Sequence, residues 1–133
     1  MFYSIEMPTP AQTLPSSPLI RIVRVHPGVT QHLWFGFADG CFGLAHIQVW
    51  HHGWQVWPWT QRESFHWNDY MFDFDDRYPL TAEPFELKVK TWNDDDSYSH
   101  TLFFAVTIDP LPAPGVVGGL ERVMRELGIL EGE

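Results

Sequence analysis

The sequence predicts an all-β domain, an antiparallel immunoglobulin-like β-sandwich of about seven strands, with a C-terminal α-helix. Three observations lead there. Short apolar or alternating runs bounded by Gly, Pro, Asp and Asn recur from Leu19 to Ile108, the later runs keep a period of two, and beyond Pro110 the apolar spacing becomes helical. The chain divides accordingly into an irregular Pro-rich N-terminal arm over 1–18, a sandwich over 19–109, and a Pro-rich linker with an amphipathic helix over 110–133.

The arm follows from four prolines between Pro8 and Pro18, which remove backbone donors and favour extended, unpaired chain. The strand-like runs fall near 19–25, 32–37, 41–50, 54–59, 69–75, 84–92 and 99–108. Asp39-Gly40 suits a tight hairpin between the second and third runs, and His52-Gly53 another between the third and fourth, because Gly readily supplies a positive φ. In the sixth run Phe85, Leu87, Val89 and Thr91 point one way and Glu86, Lys88, Lys90 and Trp92 the other, giving one core face and one wet face. The seventh run, with Leu102, Phe104, Val106 and Ile108 alternating with Thr101, Phe103, Ala105 and Thr107, is apolar on most of both faces and reads as central. Val116, Val117, Leu120, Val123, Met124 and Leu127 then form a helical stripe, with Glu121–Arg125 and Arg122–Glu126 pairs on the solvent side. That helix either caps the sandwich or presents its stripe to a partner groove.

At 133 residues the chain has room for one domain with a substantial core, and 44% hydrophobic with 16% aromatic content excludes a disordered chain. A net charge of −9, with only two Lys, argues against a nucleic-acid partner bound by phosphate neutralisation. The lone Cys41 can form neither an intrachain disulfide nor a paired-thiolate zinc site, and reads as a small buried filler. No signal-like or membrane-spanning run is visible, so the expectation is a cytoplasmic protein with no membrane partner.

Charge is uneven: residues 1–60 sum to zero and hold five of the seven Trp and five of the seven His, whereas residues 61–109 carry eleven acids against four bases. Protonating those His near pH 5–6 would set a positive half against a negative one, which favours head-to-tail association and a possible homo-oligomer.

The densest local signal is Trp50-His51-His52-Gly53-Trp54-Gln55-Val56-Trp57-Pro58-Trp59. With His52-Gly53 as a two-residue turn, His51 faces Trp54, Trp50 faces Gln55, Val49 faces Val56, and Gln48 faces Trp57. Ala45, Ile47, Val49, Trp54 and Val56 then make a core face, and His46, Gln48, Trp50, Gln55, Trp57 and Trp59 the opposite one. Flat rings beside amides and imidazole suit a sugar, whose C–H faces stack on rings while its hydroxyls need donors and acceptors. The same rings could instead be core under a second layer, or a protein interface, and a slip of one residue would exchange the two faces.

Other clusters point to weaker possibilities. Asp69, Asp73, Asp75 and Asp76, and the turn Asn93-Asp94-Asp95-Asp96, could offer oxygens to a hard cation, but they lack an EF-hand pattern and read as solvated loops, so no metal and no cofactor is expected. Glu63 with Asp69 or Asp73 could form a glycosidase pair if brought across one bond. His46 and His66 could meet through the sheet. No phosphate loop, nucleophile elbow or metalloprotease motif is present, so no catalytic residue is assigned.

The order Ile47-Gln48-Val49-Trp50, Trp54 to Trp59, Asp69-Tyr70-Met71-Phe72-Asp73-Phe74, then Pro84-Phe85-Glu86-Leu87-Lys88-Val89 and a polar turn resembles β-sandwich carbohydrate-binding modules, among them the expansin C-terminal module and starch-binding modules, over residues 42–108. The resemblance implies a sandwich with a saccharide on an aromatic face. Together these readings point to a non-catalytic, lectin-like binding protein with a saccharide on Trp57, Trp59, Trp50, Gln48, Gln55 and His46. The alternative is a small acidic protein-interaction factor whose partner has a basic patch, such as a phage-type inhibitor of a host enzyme or a virion accessory protein.

Overall fold

The computed structural model describes residues 1–110, which form nine strands: β1 (Phe2–Thr9), β2 (Leu19–Arg24), β3 (Gly28–Phe37), β4 (Ala45–His51), β5 (Trp54–Trp57), β6 (Tyr70–Asp75), β7 (Pro79–Leu80), β8 (Glu86–Asn93) and β9 (His100–Pro110). They build two antiparallel sheets. The first has the order β1-β9-β3-β6, with the short β7 also paired to β3, and the second the order β2-β8-β4-β5. The expected helix over 110–133 lies outside the described residues, except that Pro110 ends β9.

The pairing has a simple logic. β5 pairs with β4, β6 with β3, β8 with β2 and β9 with β1, so the chain is one long ribbon folded back on itself at His52-Gly53. Rolling that ribbon brings β9 against β3 and β8 against β4. The first four strands therefore alternate between sheets, and β5 to β9 retrace them from the hairpin, which is the double Greek key of a jelly roll. The all-β sandwich stands, but the immunoglobulin-like order is corrected, because that order keeps the first two strands side by side in one sheet whereas β1 and β2 here lie in different ones.

Two further expectations change. The arm over 1–18 is irregular only after Thr9, since Tyr3, Ile5, Met7 and Thr9 turn inward against β9 while Phe2, Ser4, Glu6 and Pro8 face out. Pro8 is tolerated because β1 is an edge strand. Asp39-Gly40 does not close a hairpin: β3 and β4 belong to different sheets, and Gly40, at φ +104°, turns the corner between them.

The core fills the space between the sheets. Leu33, Phe35 and Phe37 of β3 and Leu102, Phe104, Val106 and Ile108 of β9 meet Ile47 and Val49 of β4 and Leu87 and Val89 of β8. Phe35 is its centre, with ring centroids 4.3 Å from Phe65 and 5.2 Å from Phe104. β9 is indeed central, flanked by β1 and β3. Cys41 is buried in this core, and its thiol is pushed above its ordinary pKa by that burial, as suits a filler. Where β1 meets β8 the buried polar groups satisfy one another: the Thr9 and Thr91 hydroxyls are 2.8 Å apart, and the Asn93 amide donates to the carbonyls of Thr9 and Tyr98.

Candidate functional site

The hairpin at His52-Gly53 forms as its residues predict, with φ +51° and +81° at the two turn positions. His51 faces Trp54 and Trp50 faces Gln55, but the next pair is Val49 with Trp57, so the ladder shifts by one residue. This bulge rotates the following side chain to the other face. Trp57 is consequently 1% exposed and points into the core, where its indole N–H donates to Asp76 Oδ2 at 2.8 Å. Trp59 is exposed, yet it sits beside Tyr78 and donates to the same Asp76 oxygen, away from Trp50. Trp54, expected in the core, is exposed at the hairpin tip. The six residues read from the sequence are thus split: His46, Gln48, Trp50 and Gln55 share the outer side of the second sheet, while Trp57 and Trp59 belong to the Asp76–Tyr78 corner.

The outer side of the second sheet has its own composition. Pairing of β8 with β4 sets Trp92 beside His46, Lys90 beside Gln48, and Lys88 beside Trp50. The loop after β5 folds back over this side, because Phe65 takes up the ladder opposite Ile47 where β5 has ended. Between the loop and the sheet lies a cleft of about 510 Å³, walled by Trp50 and Trp92, floored by Gln48 and Gln55, and edged by Gln61, Arg62 and Pro15.

The two floor amides serve the protein first. Gln55 Nε2 lies 2.8, 3.1 and 2.9 Å from the carbonyls of Pro58, Thr60 and Glu63, and its Oε1 accepts from the Arg62 N–H. Gln48 donates to the Glu63 carbonyl and accepts from the Trp50 indole N–H. They anchor the loop. Among the lining side chains, the Arg62 guanidinium, the Trp92 indole N–H and the Gln61 amide oxygen remain for a ligand, since the Gln61 amide nitrogen donates to the carbonyls of Gln55 and Trp59. Trp50 is held at its N–H by Gln48 and on one ring face by Lys90, whose Nζ stands 4.0 Å from the ring centroid. Trp92 stacks one face on His46 at 5.1 Å and 6°. Each ring is preorganised, with area remaining toward the cleft.

His46 and His66 do meet, with ring centroids 4.8 Å apart. His46 also bridges Ser64 Oγ, 2.8 Å from Nδ1, and Asp94 Oδ2, 3.0 Å from Nε2. A Ser-His-Asp relay resembles a nucleophile with its base. The cleft is lined by none of the three, however, so the relay reads as a tie from β4 to the loop and to the turn after β8. Sequence reasoning missed both Ser64 and the role of Asp94, since a contact across 48 residues leaves no local pattern.

Of the carboxylates that could offer oxygens to a hard cation, Asp73, Asp75, Asp76, Asp94 and Asp95 are bonded to protein groups. Asp75 and Asp73 hold the two ring nitrogens of His32, at 2.5 and 3.0 Å, on the outer side of the first sheet. Asp76 accepts from Trp57 and Trp59, and Asp95 accepts from Ser97, Tyr98 and His100. No three His, Cys, Asp or Glu side chains converge as a metal site among the described residues. Glu63 lies over the second sheet and Asp73 on the first, so this pair does not flank one bond.

The two histidines shift in opposite directions. The Asp75 hydrogen bond raises His32 above the ordinary imidazole value of 6.5, opposed by burial and supported by Asp73. Burial lowers His46 below it, outweighing Asp94. The raised His32 pKa contributes stability that is full below pH 6.5 and lost as pH rises through its folded value. The lowered His46 pKa does the reverse, with stability lost as pH falls from 6.5 toward its folded value. Imidazole NMR titration should place His32 above 6.5 and His46 below; coincident titrations would show that neither contact persists in solution.

No protein-family model, curated protein or solved structure matches the chain. No helix among the described residues is long and apolar enough to cross a membrane.

Proposed function

We propose that the protein is a non-catalytic, lectin-like binding protein that takes a saccharide in the cleft between Trp50 and Trp92. The observation that supports this most directly is the cleft itself, with two immobilised indoles as walls and the Arg62 guanidinium and Gln61 carbonyl at its edge. Sugar rings bind by laying C–H faces on aromatic rings while hydroxyls pair with planar polar groups. Because the sheet and loop already fix these side chains, little conformational entropy is lost on binding.

The test is a broad glycan array followed by titration of single variants. Trp50→Ala and Trp92→Ala should each weaken binding by on the order of 1 kcal/mol, roughly fivefold or more, with the fold retained. Trp59→Ala should leave affinity unchanged, since that ring stands at the Asp76 corner. Absence of any glycan bound by the wild type would defeat the reading.

A second reading is favoured by a different surface. On the first sheet a groove of about 460 Å³ is lined by Glu6, Gly36, Asp69, Met71 and Phe103, so acids rim an apolar floor. That is where an acidic interaction factor would receive a partner with a basic patch.

A further inference from the structure

Around the cleft, the few bases of the protein are concentrated. Residues 1–110 hold thirteen acids and only six bases, yet four of those six, Arg24, Arg62, Lys88 and Lys90, belong to the outer side of the second sheet and its loop. Acids on that side are already placed: Glu86 is 3.8 Å from Arg24, Asp94 is bonded to His46, and Glu63 belongs to the same loop as Arg62. Lys88, Lys90 and Arg62 have no carboxylate within ion-pair distance among the described residues.

The geometry extends the cleft past Trp50. On the far side of that indole lies a second hollow of about 430 Å³, lined by Trp50, His52, Pro84, Glu86, Lys88 and Lys90. Trp50 is the shared wall of the two hollows, so a ligand longer than one ring crosses it. One hollow offers two indoles and Arg62; the other offers two ammonium groups two residues apart on one strand.

We propose that the ligand is an anionic oligosaccharide: one unit stacks between Trp50 and Trp92, and the next places a carboxylate or sulfate on Lys88 and Lys90. This rests on the saccharide reading above and adds the charge of the ligand to it. Lys90 is partly buried against Trp50 and the exposed Lys88 stands two residues away on the same face, so their like charges repel, and a bound anion offsets that repulsion. The depressed pKa of Lys90, caused by burial and then by Lys88, has the same origin. The size of the patch also limits the ligand. With a net charge of −9 on the whole chain, a long polyanion that runs past the patch comes within a Debye length, about 8 Å, of the acidic remainder and is repelled, so a short ligand with one or two charges is favoured over a polynucleotide.

Calorimetric titration with four probes decides it: a neutral tetrasaccharide, tetragalacturonate, a sulfated disaccharide and an eight-residue oligothymidylate, each at low and physiological salt. The expected result is that a uronate or sulfated probe binds at least tenfold more tightly than the neutral one, with the advantage shrinking as salt rises. Lys88→Gln should remove about tenfold of the anionic affinity and leave neutral-sugar affinity unchanged, whereas Lys90→Gln, which also frees one face of Trp50, should remove about tenfold of the anionic affinity and weaken neutral-sugar binding by less. Circular dichroism of both variants shows whether the fold is kept, and Lys88, being exposed, supplies the variant least able to disturb it. Equal binding of neutral and acidic sugars, insensitive to both lysines, overturns the anionic ligand while the saccharide reading survives. Failure of every saccharide overturns both, and tighter binding of the oligothymidylate assigns the face to single-stranded nucleic acid instead.

Discussion

Trp57→Ala should destabilise the protein by about 3–5 kcal/mol, enough to unfold much of a marginally stable domain. Trp57 is 1% exposed, packs edge-on against Tyr78 at 5.6 Å, and loses with its ring both a large buried surface and the hydrogen bond to Asp76. Deleting it opens a cavity that a sandwich pinned on both sides by ladders cannot collapse to fill. Trp59→Ala removes a ring that is 60% exposed and bonded to the same Asp76 oxygen, and should cost under about 1 kcal/mol. Urea denaturation of the two variants measures the contrast. Equal, small losses would mean that the bulge at Val56 is absent and that Trp57 faces solvent with the other indoles.

That bulge marks where the sequence stops being legible. Alternation and turn residues locate all seven expected strands, the hairpin at His52-Gly53, the central place of β9 and the outward turn of Lys88, Lys90 and Trp92. Each of those is a local property. Pairing of Phe2 with Thr107, or of Leu19 with Thr91, is not, because it depends on which closed arrangement buries both sheet faces. The immunoglobulin-like order failed for that reason. β1 was legible in principle, since Tyr3, Ile5 and Met7 alternate with Ser4 and Glu6, but the prolines that follow mask the pattern.

The candidate site was half legible on the same grounds. Trp50, Gln48, Gln55 and His46 share a side because four residues on paired strands fix it, and this required only the hairpin. Trp92 and the lysines come from β8, nearly forty residues on, and Arg62 and Gln61 from a loop whose path is set by side-chain bonds. Gln48 and Gln55 are expected as ligand contacts from the sequence because sugar hydroxyls need donors and acceptors. Both line the cleft, and their hydrogen bonds also hold the loop that carries Arg62 to the cleft edge.

Gln55→Leu should therefore lower stability and ligand affinity together, whereas Arg62→Ala lowers affinity alone. The two Nε2 hydrogens of Gln55 are shared among three loop carbonyls, and its oxygen takes the Arg62 N–H, all at a position 2% exposed. Leucine fills similar space but leaves those groups without their partner, at about 1–3 kcal/mol. Gln55→Glu should be worse, because a carboxylate would face three carbonyl oxygens with no hydrogen to offer. Hydrogen exchange gives the local signature: amides near Phe65, which bond to Ile47, should exchange faster in Gln55→Leu, while those of β3 and β9 should change only by the global loss. Arg62 is exposed and its side chain makes no bond among the described residues, so Arg62→Ala should leave both exchange and unfolding as in the wild type. If Gln55→Leu weakened binding with no change in stability or loop exchange, the amide would be a direct ligand contact and the loop would be held by its ladder to β4 alone.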